Sequence, residues 1–200
     1  MVPRISRREA PSRPRVEGDR EQEILDAAIA VLVDVGYDRL TMDAVATRAK
    51  ASKATLYRKW DGKAALVIDA LMSQKTPLET PPDTGSLRGD LLSMYCGHGG
   101  LTDEHQTALL GSVVTAIGRD PEFAAAFRDR FIAPKVEVGR VVYERARQRG
   151  ELRDDVDLDI LTAALPGIVL HRGFLLGDPP TQDLIARVVD QVIIPAATRG

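Results

Sequence analysis

An all-α fold is what this sequence predicts, and three observations predict it. Ile24, Ala28, Val31, Leu32 and Val35 form one apolar stripe at helical spacing. Thr41–Trp60 (TMDAVATRAKASKATLYRKW) reads as two short helices joined by a tight turn, each with its own start residue. Beyond residue 86 the chain is helical in tone, with no convincing strand alternation. Together these predict a small N-terminal helix-turn-helix domain, residues 19–72, followed by a larger helical domain, 73–200.

The elements follow in order. Residues 1–18 are rich in Arg and Pro and hold no apolar run, so they are not a secretory signal. By composition they form a disordered basic arm; the sharper alternative is that Arg13 and Arg15 reach into a minor groove. The first helix ends at Gly36 as a left-handed cap would, with Tyr37 folded back on the bundle. Thr41 caps the second helix and Ser52 the third. Small Ala44, Ala46 and Ala49 let the two cross closely, while Leu56 and Trp60, four apart, face inward. What is left outward on the third helix is Lys53, Thr55, Tyr57, Arg58 and Lys59. Basic, hydroxylic and aromatic side chains of this kind suit a helix laid in a major groove, though a merely solvated face has the same composition. Asp61-Gly62-Lys63 turns into a fourth helix, placing Lys63 at its N-terminus beside Thr41 and Tyr57 as a phosphate clamp.

Residues from about Arg20 to Met72 resemble the DNA-binding domain of the TetR/AcrR family of bacterial transcriptional regulators. EILDAAIAVLVDVGYDRLT resembles the family's first helix with its Gly-aromatic exit. MDAVATRA is similar to the second helix, ASKATLYRKW to the turn and recognition helix, and DGKAALVIDAL to the opening of the fourth. The resemblance implies a DNA-binding set of Thr41, Ser52, Lys53, Ala54, Thr55, Tyr57, Arg58 and Lys63. One departure stands out. The family's turn commonly reads Ala-Gly-Val-Ser, and here it is Ala49-Lys50-Ala51-Ser52. Glycine takes positive φ cheaply, so Lys50 is either strained there or the turn is shaped differently. Lys50 could add a phosphate contact or simply be exposed.

Charge is divided unevenly along the chain. Residues 1–65 hold 13 Lys/Arg against 10 Asp/Glu, and the remainder 14 against 19. With a net charge of −2, any nucleic-acid binding must rest on a local basic patch and be salt-sensitive. Chemistry of other kinds finds little support. His98, His105 and His171 and the single Cys96 show no metal-ligand spacing, so neither metal nor cofactor is expected. His105 reads as surface. A lone cysteine excludes an internal disulfide and fits a reducing cytoplasm. Asp154, Asp155, Asp157 and Asp159 cap a helix rather than bind calcium, since the glycine and glutamate of a calcium loop are missing. No phosphate loop or nucleophile elbow occurs, and an enzyme is not expected.

Residues 73–85 (SQKTPLETPPDTG) read as a loop. Helices are expected near Ser86–Cys96, Leu101–Gly118, Pro121–Arg149, Leu158–Leu176 and Thr181–Ala197, with Pro134 kinking or dividing the long one. Ile160–Leu170 is apolar almost all round, yet eleven residues are too few to span a bilayer, so no membrane partner is expected. Such a helix needs cover on both sides. Leu161, Leu165, Ile168 and Val169, with Val188 and Val192 on the last helix, are the candidate dimer interface; burial within one subunit is the alternative. The resemblance implies the same four-helix dimer, a palindromic double-stranded operator, and release by a small apolar ligand. Met94, Tyr95, His98, Leu110, Val113, Phe127, Phe131, His171 and Phe174 are candidates for the pocket, against ordinary core packing. Competing functional readings are a regulator of the same shape without a small-molecule inducer, and a helical enzyme or carrier.

Overall fold

A glycine shapes the first helix. In the computed structural model, which describes residues 17–74, 80–97 and 100–198, α1 (Glu17–Arg39) breaks at Gly36, where φ is 74° and ψ 167°. Glycine takes that conformation without a Cβ clash. The break turns Tyr37 and Leu40 into the interior, both buried. Ile24, Ala28, Val31 and Leu32 are buried along the expected stripe, and Val35 packs half-buried against the same core.

The helix-turn-helix forms as its caps dictate. The Thr41 hydroxyl accepts the Ala44 N–H at 3.1 Å and opens α2 (Met42–Arg48). Ser52 accepts the Thr55 N–H at 3.1 Å and opens α3 (Lys53–Lys59). Between them, the Lys50 N–H bonds to the Thr47 carbonyl and the Ala51 N–H to the Ala46 carbonyl. This paired closure needs a left-handed residue, and Lys50 supplies it at φ 51°. Ala46 and Ala49 are buried at the crossing as expected, but Ala44 is exposed. Two residues along a helix is more than half a turn, so Ala44 and Ala46 cannot share a face.

α4 (Lys63–Ser73) buries Ala64, Leu66, Val67, Ile68, Ala70 and Leu71. It is followed by α5 (Leu87–Cys96), capped by Ser86, and α6 (Glu104–Ile117). α7 (Pro121–Phe127) starts on Asp120, whose carboxylate accepts the Phe123 N–H at 3.0 Å. Then come α8 (Ala133–Gln148), α9 (Leu158–His171), α10 (Gln182–Val188) and α11 (Ile194–Ala197). Among the described residues there is no strand.

Proline divides two helices by a specific device. The expected single helix from Pro121 is split by a π turn, Arg128–Ile132, just ahead of Pro134. A second π turn, Val189–Ile193, precedes Pro195. A proline ring crowds the carbonyl four residues back and offers that carbonyl no N–H, so the turn before it widens. The Ala133 N–H accordingly reaches back to the Arg128 carbonyl, and the Ile194 N–H to Val189.

A third π turn, Arg172–Leu176, carries α9 past His171-Arg172. The nineteen-residue run Leu158–Leu176 is therefore long and apolar enough, on length and composition, to cross a bilayer. The helix thus extends beyond the eleven-residue apolar run Ile160–Leu170 that the sequence shows as too short to span a bilayer. In the fold, Leu161, Leu165 and Val169 are buried among the neighbouring helices, while Ile160, Leu175 and Leu176 of the same run are exposed.

Two cores result, and they do not follow chain order. The first joins α1–α4 to Leu109, Val113 and Ala116 of α6 and to Phe123, Phe127 and Phe131. The second gathers α5, α8, α9 and α10 around Tyr143, Leu91 and Leu165. α6 packs on α1, and α7 on α4.

Candidate nucleic-acid interface

α3 is pinned by its inner face. Leu56 and Trp60 are buried, and the Trp60 indole N–H donates to Asp69 of α4 at 2.8 Å. Asp69 also pairs with Arg130 in the first π turn, so one carboxylate joins the end of α3 to the helices behind it. Outward, Ser52, Lys53, Ala54, Arg58 and Lys59 are exposed, and Tyr57 is 54% exposed. Thr55 is half-buried, its hydroxyl sharing a 2.8 Å bond with that of Ser52. Thr41 is exposed while its hydroxyl caps α2. On the turn and α3 the predicted set is thus accessible except for half-buried Thr55.

Carboxylates already attend several of these cations. Lys53 pairs with Asp43 at 2.5 Å, Lys59 with Glu21, and Arg48 with Asp34. Exposed pairs of this kind are worth at most about 1 kcal/mol, so a polyanion can displace them. Lys63 lies elsewhere. It is half-buried, its ammonium donating to the Tyr37 carbonyl at 3.1 Å and sitting 4.3 Å from the Tyr37 ring centre. The structure thus engages Lys63 at the exit of α1, through one of the three hydrogens its ammonium can donate. Sequence reasoning missed Arg20, which donates to the Lys50 carbonyl at 2.7 Å and to Glu23. Thirty residues separate Arg20 from Lys50, and no local pattern signals such a contact.

Tyr37 also welds the head to the body. Its hydroxyl donates to Asp120 at 2.7 Å, and its ring lies 4.3 Å from Phe123. Stacked Phe123–Phe127 and Phe127–Phe131 pairs continue the column at 5.8 and 4.7 Å. Burial, then Asp120, pushes the Tyr37 phenol far above its ordinary value. The Phe123 N–H, then the Tyr37 hydroxyl, hold Asp120 below the usual carboxylate range. Arg119 and Asp38 add an exposed pair at 2.8 Å.

The predicted pocket residues are divided between the two cores. Val113, Phe127 and Phe131 are buried in the first core, with Leu110 against it. Met94 is buried in the second, with Tyr95 against it. His171 and Phe174 are exposed; the Phe174 ring lies over Gly111, 3.3 Å from where a Cβ would stand. His98 falls outside the described residues, as do Arg13 and Arg15. An open concavity of about 410 Å³ lies between Asp26, Ile29, Ala30, Val33, Asp34, Gln74 and His105. Another of about 230 Å³ is walled by Arg140, Glu144, Arg147 and Val156–Asp159. Neither is lined by the predicted residues. Apolar and aromatic residues at helical spacing mark burial, but do not say in which core.

The candidate dimer residues need a comparable correction. Leu161, Leu165, Val169 and Val188 are buried within their own subunit. Only half-buried Ile168 and 43%-exposed Val192 retain accessible surface. The exposed apolar face is instead Ile160, Phe174, Leu175 and Leu176, at 66, 38, 73 and 58% exposure. A helix apolar all round does not reveal from its spacing which stripe faces inward.

Other expectations concern single groups. Asp157 caps α9 by accepting the Asp159 and Ile160 N–H groups. His105 is exposed. Cys96 is half-buried, and burial raises its thiol. No group of three or more His, Cys, Asp or Glu that could hold a metal occurs among the described residues.

A capped two-helix motif with an accessible cationic and aromatic face defines the class as a helix-turn-helix DNA-binding protein. Residues 24–70 match the family model described as bacterial regulatory proteins, tetR family, and residues 81–192 the tetracyclin repressor-like C-terminal domain. Rv1556 of Mycobacterium tuberculosis, an uncharacterized HTH-type transcriptional regulator, is 35% identical over 95% of this chain and 94% of its own. The DNA-binding transcriptional repressor TetR of Mycobacteroides abscessus is 34% identical over 88 and 92%. Among solved structures, the TetR family transcription regulator SCO0332 aligns with TM-score 0.66 and 28% identity, covering 88 and 97%. Salmonella enterica GusR shares the fold at TM-score 0.73 and 18% identity, covering 92 and 98%. The chain belongs to the TetR family: it is a DNA-binding transcriptional regulator and not an enzyme.

Proposed function

We propose that this regulator is a homodimeric repressor, resident in the cytoplasm, which reads a palindromic operator and is released from it by a small apolar ligand. The observation that carries the dimer is the bare apolar face of Ile160, Leu175 and Leu176. Large apolar side chains left exposed along one helix favour an association site, and a two-fold axis would make it self-complementary. One α3 reads only a few base pairs, whereas a pair spaced by one helical turn of DNA reads both half-sites. Ser52, Lys53, Ala54, Thr55, Tyr57 and Arg58 are the groove-facing set in this reading, and Thr41 meets the backbone. The M. abscessus relative, which is named a repressor, supports the repressing sense.

Release follows from the weld at Tyr37. α6 and α7 pack on α1 and α4, so a ligand that displaces α6 or α7 displaces the heads. To shift the population strongly it must prefer the released spacing by roughly 5 kcal/mol.

Sedimentation velocity combined with fluorescence anisotropy on the chain's own upstream duplex tests the proposal. Dimers with selective binding, lost in Tyr57→Ala plus Arg58→Ala, are expected. Monomers that bind random duplex equally well would refute it. A metabolite screen for raised melting temperature identifies the ligand, since native-state binding stabilises by mass action.

A further inference from the structure

We infer that Lys50 is a DNA-backbone contact: its ammonium seats on a phosphate flanking the groove that α3 enters, and its left-handed backbone is kept for that side chain. The inference rests on α3 being the DNA-reading helix.

The turn itself asks for glycine. Among the described residues Lys50 is the one non-glycine at positive φ; Gly36, Gly85, Gly150 and Gly177 hold the others. The end of α8 makes the comparison direct. There the Gly150 N–H bonds to the Arg147 carbonyl and the Glu151 N–H to Ala146, the same pair of bonds that Lys50 and Ala51 make at the end of α2. Glycine takes this conformation freely, and an L-residue with a Cβ is strained in it. Backbone geometry alone therefore disfavours lysine at position 50.

The strain is met from outside the turn. The Arg20 guanidinium donates to the Lys50 carbonyl at 2.7 Å and is itself oriented by Glu23. Arg20 is thus a positioning residue that braces the backbone while leaving the lysine side chain exposed.

Charge pairing leaves Lys50 available, together with Arg58 on α3. Arg48, Lys53 and Lys59 each pair with a carboxylate, and Lys63 is engaged by Tyr37. Among the described residues neither the Lys50 ammonium nor the Arg58 guanidinium pairs with a carboxylate. Lys50 stands two residues before the N-cap of α3, where side chains flanking the groove meet phosphates. Unlike Lys53, it can neutralise a phosphate without first giving up a carboxylate.

The test uses a 30-base-pair duplex of mixed sequence, fluorescence anisotropy from 50 to 200 mM KCl, and the full chain. Lys50→Gly is expected to melt higher, by about 2–4 °C. It should also bind the duplex more weakly, with the slope of log K on log salt shallower by about 0.9 per subunit. Lys50→Gln should lose the same slope without melting higher, and Lys50→Arg should keep it. Lys135→Gln on α8 removes a charge outside the helix-turn-helix motif and is expected to leave the slope as it was. Wild-type affinity and slope in both Lys50→Gly and Lys50→Gln would overturn the inference, and so would an equal slope loss in Lys135→Gln. Failure of the wild-type chain to bind duplex DNA at all would overturn the reading of α3 beneath it, a separate outcome.

Discussion

The head and the body of this molecule present opposite kinds of surface. Around α3 the outward side chains are charged and mostly paired with carboxylates: Lys53 with Asp43, Lys59 with Glu21, Arg48 with Asp34. On α9 and its π turn the outward side chains are Ile160, Leu175 and Leu176, apolar and bare. Paired charges exchange partners at little net cost and lose strength with salt. Bare aliphatic surface gains by being covered permanently. The difference teaches that one surface is built for reversible contact with a polyanion and the other for a standing partner.

Breaking the body's surface should have the largest effect. Ile160→Asp combined with Leu175→Asp is expected to yield monomers in sedimentation. Operator affinity should then fall by roughly 100-fold or more, because linked half-site binding is lost. Next comes the column joining the two regions. Phe127→Ala should destabilise by about 3–5 kcal/mol, and calorimetry should show head and body melting together, since Phe127 belongs to their common core.

Tyr37→Phe is smaller, about 1–2 kcal/mol for the hydroxyl that Asp120 loses. Its pH dependence has a definite sign. Asp120, lowered in the fold, contributes stability above its unfolded pKa near 3.8 that is lost as pH falls below it. Tyr37, raised in the fold, contributes stability below pH 10 that is lost as pH rises further. Denaturant titrations should therefore find the alkaline loss weakened in Tyr37→Phe. The acid loss should persist in part through the Phe123 N–H. The smallest effect is expected from Asp43→Asn, which frees Lys53 and should tighten DNA binding by roughly two- to fivefold at low salt, in line with an exposed pair. A larger gain would mean that the head's ion pairs hold binding back.

What was legible in the sequence was what is local. Thr41, Ser52 and Asp157 each cap the helix that their position announced, because a cap needs only its own next turn. The strained turn at Lys50 was legible for the same reason. Long-range partners were not: Arg20 with Lys50, or Asp69 with Trp60 and Arg130, leave no periodic trace. The inward stripe of α9 was hidden too, since Leu161 and Ile160 are equally apolar and only the fold buries one and exposes the other. Phe127 and Phe131 announced burial without announcing that α6 and α7 would lean on the head.

The widened turns at Arg128–Ile132 and Val189–Ile193 have one more consequence. Each admits one residue beyond the α-helical count, so the helix downstream is rotated by roughly 100° relative to an uninterrupted one. Deleting a single residue from either segment would let the turn close to the ordinary α-helical count while every later side chain on that rod kept its azimuth. Replacing the nearby Pro134 or Pro195 by alanine would instead let the turn relax with its residue count unchanged, swinging every later side chain on that rod by roughly 100°. In this molecule the two prolines, through the turns they widen, decide which way the chain beyond them faces.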